Sequence, residues 1–408
     1  MEPSSFLTLA SGGREEEVAD PVKQEWIASL DKALHTHWEL GRNLILAWTP
    51  THNSLKILVV PHYTIAEHAK IARLEAEDNK GKLFAQTSKS FIEEVIANPK
   101  HVTAEGLDYL AESMGIETRE IELPFEPGYD LSYETLELIT SRYSMSYIED
   151  RAVALFDIVG FSLLSPLEQV TQLNSLGYSM FSAHSKMLEK KIDINFTRST
   201  TGDGFYLWNR DRSVQANVNL YHFMHLILAD NAIAHTKSAA NTTPVLRAGF
   251  HIGGHYEFYQ SEGLNPTVYS YIVGEVTIEL ARIVGRALPG QVLVGDFHVP
   301  MPDEESKSIK RINTVTFIER TQKALSSLTG VTLSGDEVDE IQCYLTGQKK
   351  DGTEEFAIKK YLIADKHGMT RDVYNAKINI YRRGADPIFL GIQESDLEDF
   401  QSISNSFA

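Results

Sequence analysis

The stretch VALFDIVGFSLLS, residues 153–165, decides how the chain is read. Val153 to Phe156 and Ile158 read as a buried strand, and they enclose a single carboxylate, Asp157. An ionised carboxylate removed from water needs a partner. Gly160, Phe161 and Ser162 follow, and a helical pattern then begins. An acid therefore stands at the end of a hydrophobic strand, just before a turn into a helix. Two readings are open. Asp157 caps the turn through backbone N–H groups, as Asp often does, or it holds a metal ion at the strand end.

A second acid, Asp203, lies in TTGDGFY, residues 200–206. Asp-Gly between two short apolar runs is a hairpin signal, so Asp203 taken alone reads as a turn residue. If its strand neighbours that of Asp157, the two carboxylates meet side by side, repel, and need a cation between them. Hard oxygen ligands beside a triphosphate suit Mg²⁺ or Mn²⁺. Metals that bridge phosphate oxygens and activate a hydroxyl are the general device of phosphoryl and nucleotidyl transfer.

Composition bounds the alternatives. A chain of 408 residues suggests two or three domains. Its net charge of -18 argues against a nucleic-acid scaffold or a membrane-surface binder, both of which need a basic face. A nucleotide ligand remains compatible, because a few local cations and a metal suffice to hold it. The one cysteine, Cys343, allows neither an intrachain disulfide nor a cysteine-built zinc site. No apolar run approaches the roughly 18–20 residues of a membrane span. The start, MEPSSFLTLASGGREEEVAD, lacks a basic segment followed by an apolar core, so no signal peptide and a cytoplasmic location are expected.

Three segments are expected. Residues 1–145 read as mainly helical, with Trp26, Leu30, Leu34 and Trp38 on one helical stripe and SLKILVVPHY as a short strand-like interruption. Residues 146–300 alternate strands and helices in the order β-α-β-β-α-β-α-β, an α+β sheet with helices on one face. Residues 301–408 open with a charged linker, PMPDEESKSIKR, and continue as a mixed α/β domain.

The set FDIVGFS, TTGDGFY, LRAGFHIGGHY and GEVTIELARIVGRALPGQVLVGD, in this order, resembles the catalytic domain of class III nucleotidyl cyclases. That resemblance implies a ferredoxin-like βαββαβ core. It makes Asp157 and Asp203 the ligands of two divalent ions, Mn²⁺ or Mg²⁺, with the Ile158 carbonyl as a further ligand. Loop 158–162, including Phe161, would wrap the triphosphate through backbone N–H groups. Arg282, which alone would read as an exposed helix cation, matches the family's transition-state arginine, a fixed charge for the phosphorus under attack. Ile278 stands where the family helix carries Asn.

The base-reading positions depart from both purine patterns. Ser199, with Arg198 beside it, and Tyr271 occupy them. The C-terminal segment resembles the sensor-type domain that follows cyclase modules in some bacterial antiphage operons. Together these point to the pyrimidine cyclases of the Pycsar type: homodimers with shared active sites that convert UTP to cyclic UMP, a messenger for a separately encoded effector. CTP is the next substrate, then a purine triphosphate. A nucleotide-binding sensor without turnover is the alternative of a different class, and a pure interaction protein comes last because it would not need both acids. His251 and His255 lie on one side of a strand, and both read as structural.

Overall fold

The computed structural model describes residues 20–37, 44–67, 91–239, 241–262, 265–303, 308–325, 328–349, 356–365, 368–393 and 396–397. They divide into two compact units, residues 1–148 with 256–272, and residues 149–255 with 273–408.

In the first unit, α1 (Pro21–His37) buries Leu30 and Leu34 of the expected stripe together with Ile27, and Trp26 packs against the same core partly buried; Trp38 lies outside the described residues. The apolar runs β1 (Leu44–Thr51) and β2 (Ser54–Val60) form a hairpin, and β3 (Arg119–Glu122) adds to it antiparallel. This three-stranded sheet stands beside the expected helices; the hairpin strands are buried almost throughout, and β3 joins them from far along the chain. The helices α2 (Phe91–Ala97), α3 (Ala104–Met114) and α4 (Tyr133–Thr140) complete the set. Thr103 caps the start of α3 through the Gly106 N–H, and Gly115, at φ 63°, ends it in the left-handed region. Trp48 anchors the core, fully buried, with its Nε1 donating to Glu137 Oε2 at 2.7 Å.

The second unit is built on β4 (Met145–Ile158), which begins in the first unit and whose Arg151–Phe156 run is buried on both faces. A capping box opens α5 (Pro166–Glu189): Ser165 accepts from the Glu168 N–H, and the Glu168 side chain reaches back. The hairpin β5 (Phe196–Thr200) and β6 (Gly204–Asn209) follows, then α6 (Val214–Lys237), capped by Ser213. The long strand β7 (Leu246–Glu262) pairs with β8 (Asn265–Val273); α7 (Glu275–Val284) and β9 (Val292–Gly295) come next. The spatial order β9-β7-β4-β6-β5 puts the strands of the βαββαβ segment in the sequence fourth, first, third, second, with β9 parallel to β7. That is the split βαβ arrangement expected from the element order.

Most of the C-terminal strands among the described residues join the same sheet. After the hairpin β10 (His298–Pro302) and β11 (Ile309–Asn313), which occupies the expected linker, comes α8 (Thr314–Leu325). The strands β12 (Val331–Leu333), β13 (Asp336–Leu345), β16 (Lys360–Ala364), β17 (Thr370–Arg382) and β18 (Ala385–Leu390) then extend the same sheet. The junction is antiparallel pairing of β17 with β9, Val373 opposite Gly295 and Ala376 opposite Val292. A small hairpin, β14 (Gly347–Lys349) with β15 (Phe356–Ile358), stands apart from it. One core therefore runs from Phe156 and Leu207 through α6 to Ile341 and Ile378, and the division expected at residue 300 does not fall in the fold.

Candidate active site

Strand register brings the two acids together. Antiparallel β4 and β6 pair Asp157 with Gly204, Phe156 with Phe205 and Leu155 with Tyr206. Asp203 precedes Gly204 in the turn, so its carboxylate lies beside that of Asp157. The turn needs both glycines. Gly202 sits at φ +100°, and a Cβ on Gly204 would lie 1.9 Å from the Phe156 carbonyl oxygen. The Ile158 N–H donates to the Asp203 carbonyl at 2.9 Å and the Val159 N–H to the Val245 carbonyl at 3.0 Å. These two bonds fix loop 158–162 between the β5–β6 turn and the start of β7. Gly160, at φ 68°, then lets the chain turn into the short 3₁₀ segment Phe161–Leu163.

Paired residues share a face of the sheet, and faces alternate along each strand. Ala154, Phe156 and Leu207 belong to the core under α5 and α6, so Asp157, Leu155 and Tyr206 point to the opposite face. There the Tyr206 hydroxyl donates to the Thr277 carbonyl of α7 at 3.1 Å. Ser199 pairs with Tyr206 and shares the face of Asp157. Arg198 pairs with Leu207 and faces the other way. Its guanidinium lies 5.8 Å from the Phe181 ring centroid and 5.2 Å from that of Phe205, with Nη1 4.0 Å from the Met180 sulfur. The expectation that Arg198 joins the substrate site is therefore corrected by strand alternation. Phe161 is partly buried against the main core, so its side chain serves packing while its backbone forms the loop. Tyr271 belongs to the first unit, where its ring stacks on Phe258 at 5.5 Å.

The electrostatics explain why the acid pair calls for a cation. Burial pushes the Asp157 carboxyl above the usual carboxylate range, an ion pair with Arg247 pulls it back, and the neighbouring Asp203 raises it further. Arg247, near the start of β7, thus neutralises Asp157 through its Nε. It was missed in the sequence, although a cation inside LRAGFHI, next to a strand carrying a buried acid, is a legible signal. The oxygens that could hold a metal there are the two adjacent carboxylates and the Ile158 carbonyl. Among the described residues no group of three or more His, Cys, Asp or Glu is placed to hold a metal by itself. Such a sparse all-oxygen set suits Mg²⁺ or Mn²⁺, which keep waters and take phosphate oxygens.

On α7, Arg282 forms an ion pair through Nε with Asp365 Oδ2 at 2.9 Å. Ile278 is 47% exposed, and Glu279 pairs with Arg371. His251 and His255 are buried, and a Cβ on Gly295 would lie 2.2 Å from His251 Nδ1, so close packing fixes that histidine.

No family model and no curated protein matches the chain. Solved structures with a similar chain trace include the adenylyl cyclase CyaB from P. aeruginosa (12% identity, TM-score 0.34, covering 60% of this chain and 100% of that one). The guanylyl cyclase Cya2 is similar at 13% identity and TM-score 0.32, covering 57% and 92%. The guanylate cyclase domain of RhGC from Catenaria anguillulae, in complex with GTP, is similar at 14% identity and TM-score 0.30, covering 41% and 97%.

Proposed function

We propose that this chain is a nucleotidyl cyclase that converts a nucleoside triphosphate to its 3′,5′-cyclic monophosphate and diphosphate. The carrying observation is the placement of Asp157 and Asp203 side by side at the end of β4, fixed by the Asp157–Gly204 pairing. In the reaction the 3′-oxygen forms a bond to the α-phosphorus, the bond to the diphosphate oxygen breaks, and the 3′-hydroxyl proton is lost. Asp157, Asp203 and the Ile158 carbonyl would hold two divalent ions, Mn²⁺ or Mg²⁺, which supply charge neutralisation at the triphosphate. Arg282 would meet the charge that develops at phosphorus.

The substrate we put first is a pyrimidine triphosphate, UTP or CTP. Its support is that Ser199 stands on the acid face of the sheet where a purine-reading residue is expected. With Arg198 on the opposite face, no guanidinium at that position separates uracil from cytosine. On the cyclase resemblance the product would act on a separately encoded effector in antiphage defence.

A second reading, a nucleotide-binding sensor without turnover, is favoured by Ile278, an exposed apolar side chain on the same helix as Arg282. The deciding experiment incubates the purified chain with each labelled nucleoside triphosphate and Mn²⁺ and separates the products. Cyclic UMP or cyclic CMP is expected. Cyclic AMP or cyclic GMP alone would replace the pyrimidine reading, and binding without product would establish the sensor.

A further inference from the structure

The contact between α7 and the C-terminal strands concerns the same site and rests on the cyclase reading. Asp365 directly follows β16, in the turn that leads into β17. Its backbone N–H donates to the Met369 carbonyl at 3.0 Å, its carbonyl accepts from Gly368 N–H at 3.1 Å, and its Oδ1 accepts from Met369 N–H at 2.9 Å. The side chain is 5% exposed, so the turn holds this carboxylate in one orientation. Its Oδ2 meets Arg282 Nε, while the Arg282 side chain keeps 28% of its surface exposed. A guanidinium is a planar fork, and an ion-pair contact at Nε leaves both terminal nitrogens as donors. Glu279, on the same helix, also acts on Arg282 electrostatically. One turn earlier on the helix, Glu279 pairs with Arg371 of β17, with side chains 14% and 20% exposed. Two ion pairs of opposite polarity therefore fix the exposed register of α7 against one hairpin.

We infer that Asp365 is a positioning residue for Arg282: it fixes the guanidinium by its Nε edge so that the terminal nitrogens are presented to the reacting phosphate. A long side chain held in advance loses less freedom when it engages the transition state. The inference gives the C-terminal strands a part in the reaction, through α7.

The test measures kcat and KM of the purified full chain with Mn²⁺ and the preferred triphosphate. Asp365→Ala is expected to lower kcat about tenfold to a hundredfold, as for the loss of a residue that orients a catalytic group, with KM changed less than about twofold. The second arm is a double-mutant cycle with Arg282→Lys. If Asp365 acts through Arg282, adding Asp365→Ala to Arg282→Lys lowers kcat far less than it does in the wild type. Fully multiplicative losses, an unchanged kcat, or a raised kcat in Asp365→Ala would each overturn the positioning role. If Asp365→Ala does not fold, Asp365→Asn, checked by its thermal melt, is read in the same cycle. A wild type that turns over no triphosphate sinks the cyclase reading itself, whereas an active wild type with Arg282→Ala silent and Asp365→Ala normal sinks this inference alone.

Discussion

Asp157 was conspicuous in the sequence because a carboxylate inside an apolar strand is costly, and the fold answers that cost with Arg247, while neighbouring Asp203 adds to it. Asp203→Ala is expected to abolish turnover while leaving the thermal melt near that of the wild type, because Asp203 lies in a half-buried turn; near-normal activity with Mn²⁺ would remove it from the metal site. Gly204→Ala behaves in the opposite way. Its Cβ would collide with the Phe156 carbonyl, a backbone atom in the buried Arg151–Phe156 run of β4. A loss of about 1–3 kcal/mol in unfolding free energy is expected, and a wild-type denaturation midpoint would show that the two strands part easily. Arg198 shows where reading along a strand goes astray. One residue of offset moves a side chain to the other face, and the pairing with Leu207 puts Arg198 over Phe181 and Phe205. Arg198→Ala is therefore expected to cost at most about 1 kcal/mol of stability and to leave the choice of base unchanged; a switch in the preferred triphosphate would contradict that placement.

The long helix α6 was legible as a helix, but its surroundings were not. It is buried from Ala216 to Ile233, on all sides, because β12, β13 and α8 close over the face that a smaller domain would leave in water. Those later elements are short and mix charged with apolar residues, and their pairing partners lie far off in sequence, so no local pattern announced them. Burial has a titration consequence. His222 donates through Nε2 to the Thr321 carbonyl at 3.2 Å, and His225 donates through Nδ1 to the Tyr221 carbonyl at 2.7 Å. Burial holds both imidazoles down at about 4, from an ordinary value near 6.5. The folded state thus binds these protons less readily than the unfolded state. The stability contributed by the neutral rings is fully present above pH ~6.5 and is lost as the pH falls toward about 4. Each ring accounts for on the order of 3 kcal/mol across that window. His225→Leu is expected to flatten the fall of melting temperature between those limits, and an unchanged slope would show that His225 is not neutral in the folded chain.

Across the whole chain, the element order and the motif spacing made the βαββαβ segment legible, since each strand or helix in it carries its own periodicity and its own cap. The partition into domains was not legible, because it depends on which strand edges meet. The outer part of β7 and most of β8 belong with the N-terminal unit, and β17 joins β9 instead of starting a new sheet. The same reasoning bears on assembly. One chain carries one acid pair and one Arg282, and the resemblance to class III cyclases implies that the acids of one subunit work with the arginine of another. A closed pair related by a two-fold axis has two equivalent composite sites. If so, Asp157→Ala and Arg282→Ala are each inactive as homodimers, but a mixed dimer retains one site with both acids and the arginine. Random exchange of equal amounts makes about half of the dimers mixed, each with one working site of two, so about a quarter of wild-type activity is expected. The mixture is assayed after subunit exchange has been verified with differently tagged chains. Activity that stays at background while mixed dimers are present would place Asp157, Asp203 and Arg282 in the site of a single chain.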